Sequence, residues 1–306
     1  MIFAPLVAAT LALGTPLASD TFISIMRERL IAESPFIRAL GVNPRDFVFR
    51  LDYLSGKLAQ AGNTPSEREE LAREMQLELK LDAELLVNLC PYFDAVAGFD
   101  ESWYNSDPKA PPDPVALYVP PRQPQPYAVV VLLHGRGQTE TDVLSQGVFR
   151  HMADLRHAIL VAPWGTGGAL WGDAAAREIA NILAELEGGL PIDPSRIYVA
   201  GVGLGGEGAF GVAARYANIF RGVLSIDGSL GAGDAFAVSH ELRDRDVYLV
   251  SNDPVVYDVL ASACVPVSRY DAQAAALSPD AQSDQVEEAW NDMFDGTVRN
   301  GSAREC

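Results

Sequence analysis

The sequence predicts an α/β protein in which a mostly parallel central sheet is flanked by helices, with an all-helical N-terminal extension. In residues 115–306, short apolar segments rich in β-forming residues alternate with segments of helical periodicity, which is the order that parallel sheets require. The continuous apolar run 127–133 is typical of a strand that is buried on both faces. Residues 21–97 instead place their apolar side chains at helical spacing.

The N-terminal extension, residues 21–105, is predicted to contain three or four helices. Apolar residues recur at helical spacing in two segments: Phe22, Ile25, Met26 and Leu30, then Phe47, Phe49, Leu51, Leu54 and Leu58. Thr64 as an N-cap, Pro65 in the first turn and Glu67 as a capping-box residue predict the start of a third helix. The polar faces mix glutamate with arginine, which favours packing of this extension onto a neighbouring domain over binding to a membrane surface.

The proline-rich polar segment 106–114 predicts a linker, and the α/β domain follows it at residues 115–306. Its predicted strands are the short apolar runs at 115–119, 127–133, 157–162, 197–200, 220–226, 246–250 and 265–270. Its predicted helices have an apolar face at a period near 3.6 residues and lie at 139–156, 173–187, 209–217 and 283–293.

The composition excludes several classes of function. The chain has 306 residues, a net charge of −18 and a pI near 4.5, so it repels phosphate backbones and nucleic acid is not an expected partner. Solubility alone also explains this charge. Four scattered histidines and three cysteines without a C-x-x-C spacing predict neither a metal site nor a cofactor. One disulfide remains possible.

The first twenty residues have two interpretations. Residues 1–20 form an apolar run that ends in small residues, as in a secretory signal peptide. The positive charge expected at the start of such a signal is missing, since no lysine or arginine precedes Arg27. A buried first helix is the alternative. The first interpretation predicts a secreted or periplasmic protein and the second a cytoplasmic one. No other segment approaches the roughly 20 apolar residues of a membrane span, so none is expected.

A glycine cluster follows the predicted strand 197–200. Gly201-Val-Gly-Leu-Gly205 then leads into a helical pattern. A strand, a tight glycine turn and a helix are the parts of the nucleophile elbow, which is written G-x-S-x-G. In this chain the serine position is Gly203.

Two further motifs close predicted strands in the same order along the chain, His134-Gly-Arg-Gly137 and Ser251-Asn-Asp-Pro-Val-Val256. Together with residues 193–206, they resemble the α/β-hydrolase superfamily. The similarity is to bacterial esterases of the prolyl-oligopeptidase-like and of the polyhydroxybutyrate-depolymerase or feruloyl-esterase-like groups. The resemblance covers residues 115–294 and implies the α/β-hydrolase fold.

The resemblance assigns roles to single residues. Gly203 occupies the nucleophile position, and Asp253 matches the triad acid, although an aspartate before Pro254 also suits a helix cap. The backbone N–H groups of Arg136 and Leu204 match the oxyanion donors. The triad histidine is expected in residues 271–282, which contain none. No histidine follows His240, so the base is missing together with the nucleophile.

These losses predict a catalytically inactive pseudo-hydrolase that binds a small-molecule ligand or a protein partner. Glu207, one helical turn after Gly203, and the aromatic pair Trp164 and Trp171 are candidates for the lining of a vestigial pocket. The two tryptophans could equally be loop anchors.

Two alternatives remain open. One is an active ester or peptide hydrolase with a relocated nucleophile and base, for which Ser225, Ser229 and His240 are the candidates, although turn polarity explains both serines as well. The other is an interaction module in which the N-terminal helices contact a partner.

Overall fold

The computed structural model of the chain describes residues 20–39, 42–60, 65–87, 97–104, 113–165, 171–230, 235–272 and 279–299. Residues 1–19, and with them the predicted signal peptide or first helix, lie outside this part of the chain, as does the predicted N-cap at residue 64. The chain divides into two compact units, Met1–Phe93 with Glu101–Pro114, and Asp94–Asp100 with Val115–Cys306.

The first unit is helical in most of its described residues. Its helices are α1 (Asp20–Ala32), α2 (Ser34–Ala39), α3 (Pro44–Gln60) and α4 (Pro65–Val87). The apolar residues predicted at helical spacing are buried at Met26, Leu30, Phe47, Leu51 and Leu54, whereas Ile25 and Phe49 are exposed. One apolar cluster fills the centre of this unit and includes Leu30, Ile37, Leu51, Met75 and Leu79. Gly98–Tyr104 forms a strand, β1, which was not predicted, and its residues 98–100 belong to the second unit.

A charged cluster is also buried in this unit. The Arg50 guanidinium of α3 lies 2.6 Å from the Glu78 carboxylate of α4 and 2.8 Å from that of Glu101 in β1. Asp82, one turn after Glu78, is fully buried, and neither of its carboxyl oxygens has a hydrogen-bond partner in the described part of the chain. Burial raises the pKa of the Asp82 carboxyl well above its usual range, and Glu78 raises it further, while Arg50 opposes the change.

This cluster predicts a pH dependence of stability. Because the pKa of Asp82 is raised in the folded state, the folded chain holds a proton that the unfolded chain has released, at every pH between the two pKa values. The contribution of Asp82 to the free energy of unfolding therefore falls as the pH rises above about 4, the ordinary aspartate pKa. Asp82→Asn replaces the titratable carboxyl group with an amide of the same shape. We expect the variant to gain stability relative to the wild type as the pH rises towards neutrality.

Urea unfolding followed by circular dichroism, from acid to neutral pH, measures this difference. The matched control is Asp244→Asn, at an exposed aspartate, which should leave the pH profile unchanged. Parallel profiles for the wild type and Asp82→Asn would contradict the prediction.

The second unit contains the sheet apart from residues 101–104 and 113–114, which belong to the first unit. Seven strands follow β1: β2 (Asp113–Val119), β3 (Tyr127–Leu133), β4 (Ala158–Pro163), β5 (Ile192–Val202), β6 (Gly222–Ile226), β7 (Asp246–Val250) and β8 (Val267–Tyr270). Their order in the sheet is β1-β2-β4-β3-β5-β6-β7-β8. Strand β2 pairs antiparallel with β4, and the pairs from β4 to β8 are parallel. The mostly parallel sheet is thus confirmed.

Helices connect these strands, and one more helix follows β8. They are α5 (Glu140–Leu144), α6 (Gly147–Arg156), α7 (Asp173–Gly189), α8 (Leu204–Arg215), α9 (Ala235–Glu241), α10 (Pro254–Ser262) and α11 (Ser283–Asp295). One face of the sheet is covered by a core in which Trp290 of α11 stacks on Phe294 and contacts Phe149 of α6. Every residue of β3, β4 and β6 is buried, which explains their uninterrupted apolar runs.

The structure corrects two predicted helices and adds two that were not predicted. The helix predicted at 139–156 is two helices, because the Asp280 carboxylate accepts the N–H groups of Gly147 (2.9 Å) and Val148 (2.8 Å) and starts a new helix there. The helix predicted from residue 209 begins at Leu204. Helices α9 and α10 were not predicted.

Two further structural findings concern the cysteines and the length of the helices. Cys264, after α10, is disulfide-bonded. None of the helices in the described ranges is long and apolar enough to cross a membrane.

Candidate functional site

The glycine turn between β5 and α8 has the shape of a nucleophile elbow. Strand β5 ends at Val202, helix α8 begins at Leu204, and Gly203 stands between them with φ 56° and ψ −114°. The Gly203 N–H donates to the carbonyl of Ile226 (2.8 Å), and its carbonyl accepts the first helical bond from Glu207 (3.1 Å). Residues with a side chain rarely adopt this backbone conformation, whereas glycine adopts it at little energetic cost.

Close backbone packing holds the elbow in place. A Cβ atom on Gly201 would overlap the carbonyl oxygen of Gly205, and one on Gly205 would overlap the carbonyl of Leu133 at the end of β3. The strand, the turn and the helix can therefore approach each other only without these side chains. At Gly203, by contrast, a Cβ atom would meet nothing within 4 Å. The apex thus faces open space, as a nucleophile position must.

The turn after β3 lies against the elbow and is held by aromatic side chains. The two ring nitrogens of His134 each lie 3.0 Å from a carbonyl oxygen, one of Gly135 and one of Trp164. The indole N–H of Trp171 donates to the His134 carbonyl (3.2 Å). His134 and Trp164 are buried, so this group acts as a structural brace of the turn.

The predicted oxyanion donors lie on either side of this contact. Arg136 is exposed in the turn after β3. Leu204 is the first residue of α8, where a backbone N–H has no acceptor within the helix. Their role as donors remains a prediction.

Asp253 lies after the carboxyl end of β7, where the resemblance places the triad acid. Its carboxylate accepts the N–H of Val255 (2.9 Å) and so caps helix α10, and its own N–H donates to the hydroxyl of Ser251 (3.1 Å). The capping role that the sequence allowed is therefore present. Part of the segment in which the family has its histidine, residues 273–278, lies outside the described residues.

The two candidate serines, Ser225 in β6 and Ser229 after it, differ in their surroundings. Ser225 is buried, and its hydroxyl has no partner in the described ranges and is enclosed by Gly206 and Gly228. Ser229 is exposed and donates to the Glu207 carboxylate (3.0 Å). His240 is exposed in α9, and none of the described histidines hydrogen-bonds to a serine hydroxyl.

A cavity of about 660 Å³ opens beside the elbow, along α8. Trp171, Leu204 and Glu207 line it, whereas Trp164 lies outside the lining. The structure adds Asp173 and Arg215, an ion pair between α7 and α8, and Gly211. The cavity residues of α8 are 204, 207, 208, 210, 211, 214 and 215. They recur at a spacing of three or four, and this helical pattern in the sequence is the signal that could have located them.

Metal chemistry is not supported by the described residues, in which no group of three or more His, Cys, Asp or Glu side chains could hold an ion.

Comparison with known proteins locates the fold. No protein-family model and no curated protein sequence matches the chain, but solved structures do. A thermostable esterase aligns with a TM-score of 0.55 and 18% identity over 64% of this chain, which spans 62% of that esterase. The chain has the α/β-hydrolase fold.

Two other solved structures are shorter and are covered almost entirely. A ferulic acid esterase aligns with a TM-score of 0.55 and 14% identity over 64% of this chain and 98% of its own. An S-formylglutathione hydrolase from Agrobacterium tumefaciens aligns with a TM-score of 0.53 and 16% identity over 69% of this chain and 99% of its own. At these identities the similarity concerns the fold and not the activity.

Proposed function

We propose that this chain is a pseudo-hydrolase, which uses the α/β-hydrolase fold to bind a small molecule or a protein partner and does not hydrolyse esters. The observation that carries the proposal is Gly203 at the apex of an otherwise intact elbow. Covalent ester hydrolysis on this fold begins with attack by a side-chain hydroxyl that a histidine activates. Glycine offers no such group, and the sequence has no histidine after Asp253.

The remaining parts of the site suit binding. Backbone donors at Arg136 and Leu204 do not depend on the side chain at position 203, so a polar group of a ligand could still be held there. The cavity along α8 has a volume within the range of about 300–1,000 Å³ that is usual for small-molecule sites.

The proposal predicts that Gly203→Ser does not create an esterase. The new side chain has room, but it has no histidine to activate it. We expect neither the wild type nor the variant to hydrolyse short- or medium-chain nitrophenyl esters above the rate of an unrelated protein. Because position 203 has a positive φ, the serine should also cost about 1–3 kcal/mol of stability.

Gly296→Ser is the matched control, since Gly296 also has a positive φ and lies outside the elbow. It should lose comparable stability and be equally inert. Ester turnover by the purified wild-type chain would overturn the proposal.

A second candidate function, ester or peptide hydrolysis with a relocated nucleophile, is favoured by one contact. The Ser229 hydroxyl donates to Glu207 one turn from the elbow, so a hydroxyl and a carboxylate meet at the cavity. If the wild type does turn over nitrophenyl esters, Ser229→Ala should abolish the activity, while Ser225→Ala, at a buried hydroxyl, should not.

A further inference from the structure

The cavity along α8 has a floor made of unusually small residues. Gly208, Gly211 and Ala214 succeed one another at a spacing of three along the helix, and all three line the cavity. Glycine inside a helix costs about 0.5–1 kcal/mol relative to alanine, so each glycine needs a reason.

The two glycines have different reasons. A Cβ atom on Gly208 would overlap the Trp171 side chain, so close packing explains that position. A Cβ atom on Gly211 would meet nothing within 4 Å. Packing therefore does not require glycine at position 211, and its effect is to leave the cavity open.

The walls of the cavity combine apolar surface with negative charge. Leu204, Phe210, Leu230 and Val238 contribute apolar side chains to the lining, and Trp171 contributes an aromatic one. Such surface favours a ligand with an apolar body of its own.

The described lining residues contain three carboxylates, on Asp173, Glu207 and Glu241, and one guanidinium, on Arg215. Asp173 forms an ion pair with Arg215. The carboxylates of Glu207 and Glu241 are therefore not balanced by the one guanidinium of the lining. Glu207 is partly buried beside the elbow and accepts a bond from Ser229, whereas Glu241 is exposed, with His240 at 3.6 Å. Together with a net charge of −18, this arrangement repels anions and attracts cations.

We propose that the cavity binds an organic cation, an amine or ammonium compound with an apolar body, whose charged head meets the Glu207 carboxylate. The apolar body lies on the Gly211 floor against Trp171, and the head donates to the oxygen atoms of Glu207. This inference rests on the proposed binding role of the same region and names the class of ligand.

Three probes with one ring system separate charge from shape: 1-naphthylmethylammonium, neutral 1-naphthylmethanol and anionic 1-naphthoate. Isothermal titration calorimetry with the full chain should show one-to-one binding of the ammonium compound. The neutral probe should bind about tenfold more weakly, because it lacks the charge-assisted contact, and the anion should bind more weakly still.

Variants test the location. Gly211→Leu fills the cavity from its floor and should abolish binding of the ammonium probe. Gly188→Leu is the matched control, since Gly188 is also a helical glycine with nothing within 4 Å and lies outside the cavity lining. It should bind as the wild type does. Ala214→Phe offers a second way to fill the cavity if Gly211→Leu does not fold.

The charge is tested by Glu207→Gln, which keeps the shape of the side chain. We expect about a tenfold loss of affinity for the ammonium probe and no change for the neutral probe. The inference is overturned if the wild-type chain does not bind the ammonium probe, if the anion binds equally well, or if Gly211→Leu binds unchanged.

The titrations and the ester assay test the two proposals separately, so either proposal can be refuted without the other. Ester turnover together with binding of the ammonium probe would refute the pseudo-hydrolase and leave the cation site standing. An inert chain that does not bind the probe would refute the cation site alone.

Discussion

Arg50→Met is expected to destabilise the helical unit by about 3–5 kcal/mol, because it leaves two buried carboxylates without their shared cation. The side chains of Arg50, Glu78 and Glu101 are each at most 1% exposed, so water cannot compensate for the loss. Methionine fills a similar volume, so the cost comes from charge rather than from a cavity. Urea unfolding followed by circular dichroism at neutral pH measures it.

The matched control is Arg27→Met. Arg27 also contacts a carboxylate, that of Asp52 at 2.8 Å, but the two side chains are 45% and 47% exposed. Exposed ion pairs are well solvated and contribute little, so this variant should unfold at nearly the wild-type urea concentration. Equal shifts in the two variants would mean that burial of the Arg50 cluster does not determine its contribution.

A triple variant separates the effect of charge from the effect of packing. Replacing Arg50, Glu78 and Glu101 together with apolar residues removes every charge of the ion-pair cluster. Buried ion pairs cost much desolvation, and their apolar replacements are often neutral or stabilising. The triple variant should therefore be more stable than Arg50→Met alone. If it is not, packing around these side chains contributes more than their charge.

Two strands of the sheet could be predicted from the sequence with the correct bounds. Residues 127–133 and 246–250 are strands β3 and β7 as predicted, because each is an apolar run that ends in turn residues. The information is local, so the sequence alone contains it.

Elements that depend on distant contacts could not be predicted in the same way. The break between α5 and α6 depends on Asp280, which is 133 residues from Gly147 along the chain. Strand β1 is flanked by no strong local signal either. In such cases the partner that stabilises the element is visible only in the fold.

The candidate site shows the same division. The elbow and its missing hydroxyl follow from residues 201–205, since a strand, a glycine turn and a helix form a local motif. Both Trp164 and Trp171 contact His134, but only Trp171 also lines the cavity. This difference does not follow from the sequence, because both residues occur in one glycine-rich loop. Only the packing separates them.

Gly205→Ala is the second variant with a large expected effect. Alanine normally stabilises a helix relative to glycine, by about 0.5–1 kcal/mol. At position 205 the added Cβ atom would overlap the Leu133 carbonyl and lie 2.7 Å from the carbonyl oxygen of His134. These are backbone atoms of the central strand and its turn, so they cannot rotate away. We expect a loss of about 3 kcal/mol or more in the free energy of unfolding.

Gly211→Ala, in the same helix, is the control of opposite sign. Its Cβ atom would enter open space, so the helix propensity of alanine should raise the stability by about 0.5–1 kcal/mol. Both variants make the same chemical change in α8, so their difference separates the effect of helix propensity from the effect of contacts with neighbouring backbone atoms. Thermal and urea unfolding of both variants test this, and a loss of stability in both would mean that α8 tolerates no added methyl group. A gain in both would mean that β3 and the elbow are not in the close contact on which the site depends.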